Sequence, residues 1–360
     1  MAWRKAAKRI ALGVLIAITA AVVAGVLYRA YHRSELAAGL EITAPSGIDE
    51  QRFIEAGGIE HSITIRGVDR SNPIILFVHG GPAEIVSFVP TATQSLEQDF
   101  TVVHWDQRGA GRTYARNAKP PADLTLSQMT TDGVEVAAWL TQYLDQPRVV
   151  LVGHSWGSLL AEHMVFARPE LFSVYVGTGQ FVSWSALTNE QYAYSLARAE
   201  AENDAETLSA LRAVGAPPFN DVARYRGFRT VMRRHLSPAD LEFSERQVGD
   251  LLTSPRASLA DIWNALQGAR ASVAALTTTL TDGDVTRLGY DFPIPFAVVQ
   301  GADDRISPTT LAEDYFTRIR APGKVLVSIP NAGHYSFTTH AAEFRNALVG
   351  DVLPLIGVMP

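Results

Sequence analysis

The chain has 360 residues, 47% of them hydrophobic, with 31 Lys and Arg against 37 Asp and Glu for a formal net charge of −6, and it contains no cysteine. That length and apolar content support a full buried core, as one large domain with an insertion or as two ordinary domains, and exclude a disordered chain. The lack of cysteine excludes disulfides, thiolate metal sites and cysteine catalysis.

Charge is unevenly distributed. The first 33 residues carry six basic side chains (Arg4, Lys5, Lys8, Arg9, Arg29 and Arg33) and no acidic one, so the rest of the chain carries about −12. A body that acidic does not suit nucleic acid, whose phosphates need clustered Lys and Arg. Residues 10–28, IALGVLIAITAAVVAGVLY, hold no charge. As a helix rising about 1.5 Å per residue they would span roughly 28 Å, near the thickness of a bilayer core. Four basic residues precede the run and two follow it, which predicts a cytoplasmic N-terminus and an extracytoplasmic body. A cleaved signal peptide is the alternative, giving a secreted chain that starts near Gly25 after Val22-Val23-Ala24. The length of the run and its poor small-residue site favour an uncleaved anchor over residues 1–33.

A polar linker, 34–50, leads to alternating short apolar runs and longer amphipathic ones. Strands are predicted at 74–78, 101–105, 149–152, 174–176, 294–299 and 325–329, mostly as near-continuous apolar runs that suit a parallel sheet buried on both faces. Helices are predicted at 133–143, 158–167 and 341–348. The pattern predicts an α/β fold, a mostly parallel central sheet with helices on both faces, over 51–179 and 290–360. Between 180 and 289 strand-like runs vanish, and helical segments such as 191–213 and 259–280 predict a helical cap inserted between two strands. No internal repeat occurs.

The stretch VVLVGHSWGSLL, 149–160, interrupts buried structure with Gly153-His154-Ser155-Trp156-Gly157. It fits G-x-S-x-G between a predicted strand and a predicted helix, the context in which a sharp turn projects a nucleophilic serine above the sheet. A serine hydroxyl needs a base, and the base an orienting acid. Downstream, Asp304 in GADDRISP follows the strand 294–299, and His334 in NAGHYSF follows 325–329. Both therefore fall at the carboxyl edge of the sheet, where α/β proteins bind ligands. The order Ser155, Asp304, His334 is that of an α/β-hydrolase. Among competitors, His79 and His154 lie in turns and are read as loop-orienting, and His340 as a packing or surface residue. Asp303 is the weaker candidate for the acid, read as a loop acceptor. Asp106 is expected to pair with Arg108 or with nearby backbone.

HGGPA at 79–83, DQRGAGRT at 106–113, GHSWGS at 153–158, GADDRISP at 301–308 and AGHY at 332–335 together resemble the proline iminopeptidase-like group of α/β-hydrolases. The resemblance covers about 60–180 and 290–350. It implies an oxyanion hole built from the amides of Gly81 and Trp156, with the D-x-R-G-x-G segment as scaffold and Thr113 where serine is commoner. It also implies amide or ester hydrolysis through an acyl-enzyme, with a small-molecule or short-peptide substrate and no metal or organic cofactor. An iminopeptidase pairs the substrate ammonium with cap carboxylates. Glu190, Glu200, Glu202, Glu206, Glu242 and Glu245 are available for this, but no tryptophan precedes a glutamate, and most of the six are expected on solvated helix faces. Phe181, Trp184, Tyr192, Tyr194, Phe219 and Trp263 could line a pocket or pack cap against core. Aminopeptidase and carboxylesterase both remain open, as does a non-catalytic module of the same fold. Haloalkane and epoxide hydrolases are disfavoured, since they place a carboxylate at the nucleophile position.

Overall fold

The structure, a computed structural model, describes residues 2–117 and 124–357. Helix α1 (Ala2–Gly39) comes first and runs well past Tyr28 into the predicted linker. Its apolar side chains are exposed, and it is long and apolar enough to cross a membrane. Eight strands follow: β1 (Ile48–Ala56), β2 (Ile59–Gly67), β3 (Ile74–Val78), β4 (Thr101–Trp105), β5 (Val149–His154), β6 (Phe172–Thr178), β7 (Phe296–Gly301) and β8 (Lys324–Ile329). They form one sheet in the order β1-β2-β4-β3-β5-β6-β7-β8. Pairing is antiparallel from β1 to β4 and parallel across the rest.

Between β4 and β6 come α2 (Gly111–Asn117), α3 (Leu126–Tyr143) and α4 (Trp156–Ala167). Six helices fill the segment between β6 and β7: α5 (Trp184–Ala201), α6 (Ala205–Val214), α7 (Val222–Met232), α8 (Pro238–Thr253), α9 (Leu259–Ala275) and α10 (Thr277–Thr281). After β7 come α11 (Thr309–Arg318) and, beyond β8, α12 (Ser336–Thr339) and α13 (Ala341–Ala347), with short helical turns over 348–357.

The continuous apolar runs are explained by the pleat, which sends alternate side chains to opposite faces. Ile74, Leu76 and Val78 of β3 join Leu140 of α3 and Leu159 of α4 in one core. Ile75 and Phe77 face the other, with Phe344 and Leu348. Burying each such side chain fully contributes about 1.5–3 kcal/mol.

Two strands, β1 and β2, escaped the sequence reading. β1 is an edge strand with mostly exposed or half-exposed side chains, and β2 buries polar groups instead of an apolar run. Arg66 of β2 is tolerated inside because Glu97 accepts from its Nε at 2.7 Å and the Leu40 carbonyl accepts from Nη2 at 2.7 Å, while Asp49 also pairs with it. The predicted helix 191–213 is two helices. Asn203 takes a left-handed conformation (φ 54°), and the Asp204 side chain caps α6 by accepting from the Thr207 amide.

Several acids are buried, Glu162 among them. Glu162 of α4 accepts hydrogen bonds from the Tyr315 hydroxyl (2.8 Å) and from Gln180 Nε2 (3.0 Å). Burial pushes its carboxyl up to about 8. The native state therefore holds a proton that the unfolded chain gives up near the ordinary carboxylate pKa, and stability declines as pH rises between those two values. Glu162→Gln is expected to flatten that decline, gaining up to a few kcal/mol at pH 8 and little at acid pH. Thermal melts in detergent at the two ends of the range check it.

Candidate active site

Ser155 stands between β5 and α4 with φ 54° and ψ −122°, a conformation costing on the order of 1–3 kcal/mol for a residue with a Cβ. The surroundings over-determine the turn. The Ser155 amide donates to the Thr178 carbonyl at 3.0 Å, and the Ser155 carbonyl accepts from the Ser158 amide (2.9 Å) and hydroxyl (2.7 Å). Glycine is required beside it because α4 lies close against the sheet. A Cβ on Gly157 would meet the Val78 carbonyl oxygen at 2.0 Å, and one on Gly153 would meet Ser158 Cα at 2.7 Å.

His334 follows β8, and its Nδ1 lies 2.9 Å from Asp304 Oδ2, with both side chains buried. Asp304 is held by the amides of Ile306 and Ser307 on Oδ1, each at 2.8 Å, and by Gln300 Nε2 on Oδ2 at 2.9 Å. Asp303 points elsewhere and pairs with Arg305 at 3.4 Å. Ser155 and His334 line one cavity of about 350 Å³, together with Gly81 and Trp156. Gly81 has φ 116°, and Trp156 opens α4 at the positive end of the helix dipole. Among the described residues neither amide donates a hydrogen bond to the protein.

The other sequence candidates sort as follows. His79 ties its loop to the next one: its Nε2 accepts from the Gln107 amide at 3.3 Å, and its carbonyl accepts from Gln107 Nε2 at 2.8 Å. His154 buttresses His334, with Nε2 3.2 Å from the His334 carbonyl and Nδ1 3.2 Å from Glu84. His340 opens α13 against Thr339, away from the cavity. Asp106 accepts from the Arg112 amide (2.8 Å) and the Ser87 hydroxyl, as the backbone alternative expected. Arg108 forms a fork with Asp132 of α3 through two hydrogen bonds of 2.7 Å. Of the cap aromatics, Phe181 and Trp184 line the cavity. Tyr192 and Phe219 pack on Phe228, Tyr194 on His235, and Trp263 is exposed.

None of the six glutamates named from the sequence lines the cavity. Glu190 bonds Thr310, Glu202 pairs with Arg198 and Glu206 with Arg234. Three charged residues that the sequence reading missed stand at the site instead. Glu84, directly after HGGPA, lines the cavity; burial opposes its charge, but the His154 hydrogen bond and the neighbouring histidines hold its pKa below the ordinary value. Arg229 of α7 also lines the cavity, and its Nη1 has no hydrogen-bond partner among the described residues. Asp240, in the first turn of α8, accepts from the amides of His334 (3.0 Å) and Tyr335 (3.3 Å). Gly333 makes that approach possible, since a Cβ there would lie 2.0 Å from Asp240 Oδ2. The position of Glu84 after the motif was a usable signal; nothing local to SPAD marked Asp240.

Burial disfavours the charged imidazole of His334, but Asp304, Asp240 and Glu84 outweigh it and hold its pKa above the ordinary value. Among the described residues no cluster of three His, Asp or Glu could hold a metal ion.

Residues 75–347 match the model of the alpha/beta hydrolase family. This chain belongs to that family. It is 31% identical over 302 residues to the probable aminopeptidase YbaC of Bacillus subtilis (strain 168), covering 82% of this chain and 93% of that protein. A proline iminopeptidase of Heyndrickxia coagulans is 30% identical over 119 residues, 33% of this chain and 34% of that one. Among solved structures, the proline iminopeptidase-related protein of Thermus thermophilus superposes with a TM-score of 0.58 at 20% identity, covering 87% of this chain and all of that one. A thermophilic esterase of Thermogutta terrifontis gives 0.56 at 20% identity, covering 85% and 99%. These structures share the alpha/beta hydrolase fold with this chain, and the family and its relatives make it a hydrolase.

Proposed function

We propose that this alpha/beta hydrolase is a serine hydrolase in which Ser155 attacks an amide or ester carbonyl. His334 takes its proton through Nε2, and Asp304 holds Nδ1 and offsets the imidazolium charge. The amides of Gly81 and Trp156 receive the oxyanion. Collapse of the tetrahedral intermediate sends the proton from His334 to the leaving group. Water, deprotonated by the same imidazole, then releases the acyl group and restores the Ser155 hydroxyl. The observation that carries this reading is the buried 2.9 Å contact of His334 with Asp304, opening onto the cavity that also holds the strained Ser155.

Residues 180–289 form the cap in this reading, over a core of 51–179 and 290–360. Helix α1 anchors the chain in the cell membrane with its N-terminus cytoplasmic, and the catalytic body lies outside. The aminopeptidase relative favours a substrate with a free ammonium, for which Glu84 supplies the carboxylate that the cap glutamates do not. The carboxylesterase reading uses the same machinery without that contact. Wild-type protein should react covalently with a fluorophosphonate at Ser155, read by mass spectrometry, and should cleave proline β-naphthylamide faster than p-nitrophenyl butyrate. The reverse preference selects the esterase, and no labelling selects a non-catalytic module.

Asp240 adds a pH-dependent test. Its charge favours the protonated form of His334, so removing it lowers the pKa of the base. Since the base must be neutral, kcat/KM rises with pH through that pKa. Asp240→Asn is expected to move this acid limb to lower pH, measured as a pH profile of kcat/KM. An unmoved limb would leave Asp240 a purely structural clamp.

A further inference from the structure

The helices over the site present an apolar face that the core does not use. On α8, Val248 and Leu252 are 65% and 41% exposed; on α9, Leu259, Trp263 and Leu266 are 58%, 62% and 48% exposed. Spacings of four on α8, and of four and three on α9, place each set on one side of its helix. Such a stripe, with tryptophan among its members, is the surface that lies in a bilayer interface.

The anchor meets this face. Arg29 of α1 donates from Nε to the Leu252 carbonyl (2.8 Å) and from Nη2 to the Ala257 carbonyl (2.9 Å). Arg33 reaches the carbonyls of Ser254, Pro255 and Ala257. These contacts fix the junction of α8 and α9 to the point where α1 leaves its uncharged run. The lining of a groove there includes Val22, Gly25 and Val26 on one side and Leu252 and Leu259 on the other, beside the paired Arg246 and Asp250. Val22 lies roughly 10 Å along the helix from Arg29, at about 1.5 Å per residue. If residues 10–28 span the hydrocarbon, Leu252 and Leu259 sit at its outer layer, within the roughly 5–10 Å depth typical of an interfacial helix.

Behind the face lies a second cavity, of about 210 Å³, whose walls include Ile85, Val86, Phe243, Leu251 and Leu266. It shares Ala83, Glu84 and Gln247 with the Ser155 cavity and Asp250 with the groove beside α1. Three spaces thus follow one another from the anchor to the serine.

We propose that the α8–α9 face beds in the bilayer beside α1, and that the apolar cavity behind it admits the acyl chain of a membrane-borne amphiphile to Ser155. This rests on the serine-hydrolase and anchor readings above, and it names where substrate enters and what kind of tail it carries.

The test uses the full chain in vesicles of phosphatidylcholine and phosphatidylglycerol. Because the chain has no cysteine, a single introduced one takes an environment-sensitive fluorophore cleanly. Labels at Leu259→Cys and Trp263→Cys should be quenched by doxyl-labelled lipid. A label at Gln142→Cys, exposed on α3 near the amino edge of the sheet, should not be. Quenching at all three sites alike, or at none, overturns the docked face. Excimer emission from pyrene at Trp263→Cys without lipid quenching assigns that face to a second copy and also overturns it.

The activity arm compares p-nitrophenyl palmitate carried in the vesicles with p-nitrophenyl acetate in solution. The double variant Leu259→Asp/Trp263→Asp should lose roughly tenfold or more on palmitate and keep its rate on acetate, since charge at those positions resists burial in lipid. Equal losses on both esters, or acetate preferred over palmitate by the wild type, overturn the acyl passage. Failure of fluorophosphonate to label Ser155 marks failure of the hydrolase reading itself, and the quenching pattern still decides the membrane face.

Discussion

Ser155→Ala is expected to lower kcat by about 10⁴-fold or more while leaving the thermal transition within about 0.5 kcal/mol of wild type. In the proposed mechanism, the chemical loss follows from removing the only atom that forms the acyl bond. His334 and the amides of Gly81 and Trp156 stay in place, and such remnants still support some turnover above water in triad enzymes. Stability should hold because alanine keeps the Cβ and so carries the same φ 54° strain, and because the hydrogen bonds of the elbow run through backbone atoms and Ser158. Kinetics on the preferred substrate, with a melt of the same preparation, separate loss of the nucleophile from loss of fold. Wild-type turnover in this variant would remove Ser155 from the mechanism.

Asp132→Ala is expected to destabilise the fold by about 3–5 kcal/mol. Arg108 and Asp132 are both fully buried and joined by two hydrogen bonds of 2.7 Å, and Arg108 also donates to the Gly57 carbonyl at 2.7 Å. The pair thereby joins the loop after β4 to α3 and to the β1–β2 turn. Removing the carboxylate takes two charge-assisted hydrogen bonds from the buried guanidinium, each worth roughly 1.5–3 kcal/mol, and the acceptor 2.9 Å from Gln128 Nε2. Denaturant unfolding in detergent reads the loss. The double variant Asp132→Ala/Arg108→Met should recover part of it, because the buried cation is gone. A single variant as stable as wild type would mean that water or another group compensates at Arg108.

Ser155, Asp304 and His334 stand out as candidates because each follows a strand whose apolar run announces it, and because strand ends in a parallel sheet share one edge. The geometry favours Asp304 over Asp303 as the candidate acid, since its oxygens face the Ile306 and Ser307 amides and the His334 ring. Asp132 as the partner of Arg108 was not legible, since nothing along the chain relates one position on α3 to a loop after β4.

Local pattern by itself determined the α/β class, the parallel centre of the sheet, the helical insertion and the candidate nucleophile, acid and base. Periodicity and turn chemistry act over a few residues and survive any tertiary arrangement. Only the folded chain decided that Glu84, Arg229 and Asp240 surround the site, and that Arg29 and Arg33 tie α1 to the α8–α9 junction. Those are encounters between side chains far apart in sequence. Their cost in desolvation and their gain in pairing depend on burial that exists only once the sheet and its covering helices have packed.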